Sequence, residues 1–201
     1  MSRQPGTDDN IEAAIFDLDG TVVENSYDWP RIKQTLGSGN QPILSFIEAL
    51  AEPERSEKMA ILEEYEAEQT AMATIRERMA GLVSWLRRRG VKTALVTNNS
   101  RGNTAFLLKK FGLEFDLVIT REGRLWKPSG APFREVMRIF GIDSRRCCVV
   151  GDTRYDLEAA GDAGIRSVFM LSDEPGKFAG MSVEVFSTVE DLKNRLAAIL
   201  A

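Results

Sequence analysis

The sequence predicts an α/β fold in which a doubly wound parallel sheet carries a small helical cap inserted after the first strand. Short, continuous apolar runs alternate along the chain with helical patterns, which is typical of parallel strands covered by helices on both faces. Most helical patterns end at a glycine, as helices with a left-handed final residue do. One long stretch, residues 22–80, has no strand-like run and breaks the alternation. A chain of 201 residues suits one such core with a modest insertion.

Five runs have the apolar character of buried strands, and they lie at residues 13–16, 91–97, 116–120, 147–150 and 166–171. Four helices are predicted between or after them, at residues 81–89, 104–111, 132–140 and 155–163. A last helix begins at a capping box formed by Ser187 and Glu190. Right-handed crossovers between these elements would build the doubly wound core.

Residues 22–80 predict two helices instead. The first begins near Pro42 and the second runs from about Pro53 to Met79. We interpret the acidic middle of the second helix, residues 63–69, as a solvated face. The prediction is therefore an α/β core of residues 11–21 and 81–201, a helical cap of residues 22–80, and a flexible polar tail of residues 1–10.

The composition excludes several classes of site. There is no histidine, so Ser-His-Asp triads, histidine phosphotransfer and histidine-ligated metal centres are impossible. The net charge of −4 favours neither nucleic acid nor an anionic membrane as a partner. The two cysteines, Cys147 and Cys148, are adjacent and are expected to stay reduced. With no apolar signal segment at the start, we expect a cytoplasmic protein.

The first strand ends in the sequence Asp-Leu-Asp-Gly-Thr, residues 17–21. Asp17 and Asp19 are two residues apart, so in an extended chain their side chains point the same way. Gly20 lets the backbone turn sharply after them. Ligand sites in open α/β sheets lie at the carboxyl ends of strands, and two carboxylates there suit a nucleophile and an acid/base.

Three further patterns follow later strands. Thr97 precedes backbone amides at a helix start, which is a possible phosphate cradle. Lys127 lies in the loop after the third predicted strand, where an ammonium could hold a phosphate or neutralise an attacking carboxylate. Asp152 follows the fourth, with Asp156 four residues on, and their oxygens suit a hard cation such as Mg²⁺.

A competing motif overlaps the last pattern. Cys148 and Arg154 have the spacing of the cysteine-dependent phosphatases, in which a thiolate attacks phosphorus. Here the intervening loop contains an acidic residue, and Cys148 lies within an apolar run, where burial raises a thiol pKa. We therefore favour the carboxylate chemistry.

Taken together, the four patterns resemble the motifs of the haloacid dehalogenase-like (HAD) phosphatase superfamily. The resemblance covers essentially the whole chain and is greatest to the phosphoglycolate phosphatase-like branch, with an unusually short cap. It implies a Rossmann-like core and assigns roles in phosphoryl transfer. Asp17 would attack phosphorus, Asp19 would serve as acid and then base, and Lys127 would stabilise the charge. Thr97 and the amide of Asn98 would bind the phosphoryl oxygens.

The resemblance also implies Mg²⁺ as the cofactor. Asp17, the carbonyl of Asp19 and Asp152 would hold the ion, and Asp156 would act through a water molecule or through a neighbouring ligand.

The resemblance implies a phosphatase that hydrolyses a small phosphorylated metabolite, similar to phosphoglycolate, through an aspartyl phosphate. A sugar-phosphate mutase resembling β-phosphoglucomutase is the alternative within the superfamily. A phospho-aspartate switch without turnover, or a binding protein, is the more distant one. Specificity would come from the cap, whose candidate contacts are Tyr27, Trp29, Arg31, Lys33, Arg55, Lys58, Arg76 and Arg78.

Overall fold

The computed structural model of the chain describes residues 10–201. Of the tail predicted over residues 1–10, only Asn10, which is exposed, falls in that range, and the rest lies outside the described residues. The strands are β1 (Ala13–Phe16), β2 (Val23–Glu24), β3 (Thr74–Ile75), β4 (Lys92–Val96), β5 (Leu117–Ile119), β6 (Cys147–Gly151), β7 (Ser167–Leu171) and β8 (Glu184–Phe186). The helices are α1 (Trp29–Leu36), α2 (Ile43–Glu48), α3 (Glu54–Met72), α4 (Met79–Arg88), α5 (Arg101–Phe111), α6 (Ala131–Phe140), α7 (Arg154–Asp162) and α8 (Val189–Ile199).

Six strands form one parallel sheet in the order β5-β4-β1-β6-β7-β8, which confirms the predicted fold class. Helices α4, α5 and α8 supply buried leucines to one face of the sheet, among them Leu82, Leu107 and Leu192. Helices α6 and α7 cover the other face, for example through Phe133 and Ala159. Because both faces are covered, the central strand β1 is completely buried, and its end is held rigidly in the middle of the sheet.

The inserted helices α1, α2 and α3 have an apolar cluster of their own, with Ile32, Leu36, Ile47 and Leu62 buried in it. They lie between the two-residue strands β2 and β3, which pair antiparallel with each other. The division of the chain at residues 22 and 80 stays a prediction.

Several elements differ from the sequence prediction. Helix α1 was not predicted, although Asp28 caps it by accepting a hydrogen bond from the Arg31 amide. Helix α3 ends at Met72 rather than Met79, because the chain turns into β3 and Met79 opens α4 instead. Strands β2, β3 and β8 were also missed, since runs of two or three residues show no periodicity.

The last helix is capped one residue later than the predicted capping box. The Thr188 hydroxyl accepts a hydrogen bond from the Asp191 amide, at 3.1 Å, so Thr188 and Asp191 form the cap in place of Ser187 and Glu190. Both pairs have a hydroxyl residue followed three positions later by an acid, so the pattern alone could not choose between them. Between Asn10 and Ala201, no helix combines the length and apolar character needed to span a bilayer.

Candidate active site

The segments that follow four neighbouring strands, β5, β4, β1 and β6, bring the predicted site residues to one edge of the sheet. In the register of the sheet, Phe16 of β1 lies between Leu95 of β4 and Val150 of β6. The residues just beyond these positions, Asp17 and those that follow β4 and β6, therefore meet at the carboxyl edge. This edge opens into a cavity of about 430 Å³.

The Lys127 ammonium lies between two of the carboxylates and contacts both. Its Nζ lies 2.6 Å from Asp17 Oδ1 and 2.6 Å from Asp156 Oδ1, and the lysine is 3% exposed. Burial alone would lower the pKa of Lys127, but Asp156 and Asp17 raise it above its ordinary value, so the side chain stays an ammonium. Burial raises the pKa of Asp17 well above its usual range; Asp156 adds to this, and Lys127 opposes it.

Asp156 is held in place at the start of α7. Its Oδ2 accepts hydrogen bonds from the Thr153 amide at 3.0 Å and the Thr153 hydroxyl at 2.7 Å. The Thr153 side chain in turn accepts from the Asp156 amide, which completes a capping box. A Cβ at Gly151 would lie 2.5 Å from the Asp156 Cγ, so only glycine fits there. Both Asp156 oxygens are thus engaged by the protein, and the residue positions Lys127.

Asp152 packs against the turn that follows β1. Its Oδ1 accepts a hydrogen bond from the Thr21 hydroxyl at 2.9 Å. Gly20 has a φ of 80°, and a Cβ there would come within 2.3 Å of Asp152 Oδ2. The glycine therefore supplies both the left-handed turn and the space for this carboxylate. Burial, and then the charge of Asp156, raise the pKa of Asp152 to about 6.

The carboxylate oxygens of Asp17, Asp152 and Asp156 lie within 4.8 Å of one another. Asp17 and Asp156 are buried and Asp152 is partly exposed. Carboxylate oxygens are hard donors, the type that Mg²⁺ prefers. The donor set therefore fits the predicted cofactor.

Asp19 points to the same cavity but has different partners. Its Oδ1 accepts a hydrogen bond from Asn25 at 2.5 Å and its Oδ2 one from Asn99 at 3.0 Å. Burial raises the pKa of Asp19, and these two amides partly oppose the shift. The hydrogen-bond donors to this carboxyl group are thus two neutral amides, whereas Lys127 donates to Asp156.

Thr97 and Asn98 form the side of the site after β4. The Thr97 hydroxyl oxygen accepts a hydrogen bond from the Asn99 amide at 3.0 Å, and the hydroxyl itself is a hydrogen-bonding partner of Asp19. The Asn98 side chain pairs with the backbone of Lys127 twice, accepting from its amide and donating to its carbonyl, each at 2.9 Å. Asn98 therefore anchors the loop that carries the lysine.

Sequence reasoning missed the amides of Asn25 and Asn99, as well as Thr21. An asparagine after a turn or at a helix start is ordinary, and nothing in the run of residues 17–21 indicates the distant partner of Thr21.

Cap residues close the cavity from the other side, and three of the eight predicted contacts, Tyr27, Trp29 and Lys33, line it. The Tyr27 and Trp29 rings are stacked, with centroids 4.4 Å apart. The rest of the lining from this segment mixes polar and apolar residues: Asn25, Ser26, Pro42, Ile43, Leu44, Leu62 and Glu66.

Three of the other predicted cap contacts are occupied elsewhere. Arg76 donates to the carbonyls of Gly20 and Thr21, Arg78 pairs with Glu190, and Arg55 donates to a backbone carbonyl of the cap. Arg31 and Lys58 are not part of the cavity lining among the described residues.

Glu66 and Arg121 form a buried ion pair between the cap and the core. Arg121 follows β5 and is 7% exposed, and its Nη1 lies 2.7 Å from both carboxylate oxygens of Glu66 on α3. Burial raises the pKa of Glu66 to about 7, although Arg121 opposes the shift. The interpretation of residues 63–69 as a solvated face is therefore wrong at Glu66, whose partner lies 55 positions away in the sequence.

The thiol alternative finds no support in the geometry. Cys148 is fully buried within β6, and burial raises its pKa far above its ordinary value. The part of the cavity wall that the structure describes includes Arg154 but not Cys148. A buried, protonated thiol outside the cavity is no nucleophile.

Comparison with known proteins identifies the family. A model described as a haloacid dehalogenase-like hydrolase matches residues 11–164. Phosphoglycolate phosphatase 1 of Pseudomonas aeruginosa is 29% identical over 180 residues, 76% of this chain and 66% of that protein. A pyrophosphatase of Halalkalibacterium halodurans is 25% identical over 176 residues, 78% of this chain and 82% of that protein.

Among solved structures, a hydrolase from Pseudomonas syringae superposes with a TM-score of 0.75 at 20% identity, covering 94% of this chain and 99% of that one. This likeness shows the same fold. The family match takes in all four strand-end motifs, from Asp17 to Asp156, and confirms the resemblance read from them. The chain therefore belongs to the haloacid dehalogenase-like hydrolase family.

Proposed function

We propose that the protein is a Mg²⁺-dependent phosphomonoester hydrolase that acts on a small phosphorylated metabolite, such as phosphoglycolate, through an aspartyl-phosphate intermediate. The observation that carries this proposal is the 2.6 Å contact between Lys127 Nζ and Asp17 Oδ1 at the floor of the cavity. A carboxylate nucleophile and a phosphate dianion repel each other, and a buried ammonium between them offsets that repulsion.

The roles follow from the partners of each side chain. Asp17 would attack phosphorus, so that a bond forms between its carboxylate oxygen and phosphorus while the ester bond to the leaving oxygen breaks. Asp19 would give its proton to that oxygen and later take one from the water that hydrolyses the acyl phosphate. Its raised pKa favours the protonated form that the first step needs. The Thr97 hydroxyl and the Asn98 amide would bind the transferring oxygens.

The metal would be held by Asp17, Asp152 and the carbonyl of Asp19. Asp156 would act indirectly, because its two oxygens already accept hydrogen bonds from Lys127 and Thr153. When bound, Mg²⁺ supplies positive charge to the phosphoryl oxygens and to the nucleophile.

The names of the relatives agree with this chemistry. Phosphoglycolate phosphatase 1 and the pyrophosphatase are both named for hydrolysis at phosphorus. The chain spans about two thirds of the length of the first, so that protein's substrate is carried over here only as a candidate.

The direct test is hydrolysis of p-nitrophenyl phosphate. The wild-type protein should release p-nitrophenol with Mg²⁺ and lose that activity in EDTA, and Asp17→Asn should be inactive while keeping its circular dichroism spectrum and melting temperature. Asp143→Asn is the matched control, because Asp143 is half exposed and lies before β6, at the opposite edge of the sheet. Turnover that survives EDTA, or an active Asp17→Asn variant, would contradict the proposal.

A further inference from the structure

We propose that the side-chain amides of Asn99 and Asn25 position Asp19 for proton transfer, with Asn99 as the more firmly held of the two. This inference rests on the proposed function and adds two positioning residues to it. All three side chains line the cavity that also contains Asp17. The asparagines come from different parts of the chain: Asn99 lies between β4 and α5, and Asn25 follows β2, where the chain enters the inserted helices.

Each oxygen of the Asp19 carboxyl group has one of these amides as a partner. Asn25 Nδ2 donates to Oδ1 at 2.5 Å, and Asn99 Nδ2 donates to Oδ2 at 3.0 Å. Donors on both oxygens restrict rotation of the carboxyl group about its bond to Cβ, a torsion that is otherwise broad in aspartate. The two amides therefore set the direction in which the carboxyl group of Asp19 faces the cavity.

The Asn99 amide is itself held in one orientation. Its Oδ1 accepts hydrogen bonds from the Ser100 backbone amide at 2.7 Å and from Asn103 Nδ2 at 3.1 Å. Because both of these partners need an acceptor, the oxygen of the Asn99 side chain must face them and its NH₂ group must face Asp19. Asn99 is only 3% exposed, so solvent has little access to either set of hydrogen bonds.

The chemistry of an amide suits a neighbour of a proton donor. An amide nitrogen donates hydrogen bonds and does not accept them, so neither NH₂ group can take the proton that Asp19 would pass to the leaving oxygen. A cation in contact with Asp19 would favour the ionised carboxylate instead. The buried lysine of the site, Lys127, contacts Asp17 and Asp156. The nucleophile is thus held by an ammonium and the acid by amides.

The effect of losing this positioning should depend on the leaving group. A well-placed general acid contributes about 10²–10⁴-fold, and a misplacement of about 1 Å can cost about a hundredfold. p-Nitrophenolate leaves with little help, whereas phenolate is a stronger base and gains more from a proton. Phenyl phosphate and p-nitrophenyl phosphate differ only in the nitro group, so comparing them isolates proton transfer to the leaving oxygen.

The test measures kcat/KM for these two esters with Mg²⁺, because this constant reports the steps up to departure of the leaving group. In Asn99→Ala, kcat/KM for phenyl phosphate should fall at least about tenfold, while that for p-nitrophenyl phosphate should change less than about threefold. Asn25→Ala should act in the same direction, and it carries the test if Asn99→Ala does not fold. Asp19→Asn should show the largest difference between the esters, since it removes the acid itself.

Asn103→Ala is the matched control. It removes an asparagine amide from the start of the same helix without removing a donor to Asp19, and the Ser100 amide still holds the Asn99 oxygen. The ratio of the two kcat/KM values should therefore stay within about twofold of the wild-type ratio.

Two results would overturn the inference while leaving the phosphatase standing. One is that neither Asn99→Ala nor Asn25→Ala lowers hydrolysis of phenyl phosphate selectively, whether they impair both esters equally or leave both unchanged. The other is that Asn103→Ala reproduces the effect of Asn99→Ala. If the wild-type protein with Mg²⁺ hydrolyses neither ester, or if Asp19→Asn leaves the ratio unchanged, the proposed function or its acid/base assignment fails, and this inference fails with it.

Discussion

Replacing Arg121 by methionine should destabilise the protein strongly, and more at high pH than at low pH. The substitution removes the guanidinium that faces the buried carboxylate of Glu66 and keeps the apolar length of the side chain. Breaking one half of a buried ion pair costs about 3–5 kcal/mol, because it leaves an uncompensated charge. For a chain of this size, that corresponds to a fall in melting temperature of about 6–20 °C.

The pH dependence follows from the pKa of Glu66. Burial raises it from its ordinary value of 4.5 to about 7, and Arg121 opposes this rise, so the pKa of Glu66 rises further in Arg121→Met. A carboxyl group whose folded pKa exceeds its unfolded value adds stability below the unfolded pKa and loses it as the pH rises through the folded pKa. The gap in the free energy of unfolding between wild type and variant should therefore be larger at about pH 8 than at about pH 5.5.

Urea unfolding at both pH values measures this gap. Arg138→Met is the matched control, because Arg138 also pairs with a glutamate, Glu135, but at an exposed site, and its loss should change little at either pH. The reasoning is refuted if Arg121→Met is as stable as Arg138→Met, or if its destabilisation does not depend on pH. Either result would mean that α3 does not bury Glu66 against the core in solution.

Three further predictions concern the site. Gly20→Ala should lower activity at least about tenfold, because the added Cβ would strike Asp152. Gly37→Ala is the control for backbone strain alone, since Gly37 has a similar φ of 78° but no atom within 4 Å of an added Cβ. Equal activity in the two variants would contradict this prediction. Asp152→Asn should raise the Mg²⁺ concentration for half-maximal activity by about tenfold or more, measured by Mg²⁺ titration, and an unchanged titration would remove Asp152 from the ligand set. Cys148→Ala should keep Mg²⁺-dependent turnover within about threefold, with a modest loss of stability, and an inactive but folded variant would revive the thiol mechanism.

The position of the site residues at one edge of the sheet was predictable because it depends on local sequence signals. An apolar run followed by a carboxylate indicates a strand end, and parallel strands place their carboxyl ends together, so Asp17 and Asp152 could be brought to one edge without coordinates. The spacing of the glycines located the helix ends in the same way. The catalytic roles of these residues stay predictions.

The remaining features depend on contacts between distant parts of the chain. Lys127 and Asp156 are 29 positions apart, and Glu66 and Arg121 are 55 apart, so no window of the sequence contains either pair. The charge of Glu66 made a surface position the reasonable expectation, since an unpaired glutamate is almost never buried. Only the fold supplies the partner that makes its burial possible.

The central claim, that Asp17 becomes a phosphoryl acceptor, is tested most directly with Asp19→Asn. This variant lacks the group that would activate the hydrolytic water, while p-nitrophenolate needs little help to leave, so the intermediate should accumulate. After an acid quench, mass spectrometry of the peptide that contains Asp17 should show the mass gain of one phosphoryl group, which hydroxylamine removes. Turnover by wild type with no phosphorylated peptide in Asp19→Asn, or with the phosphoryl group on another residue, would contradict the account.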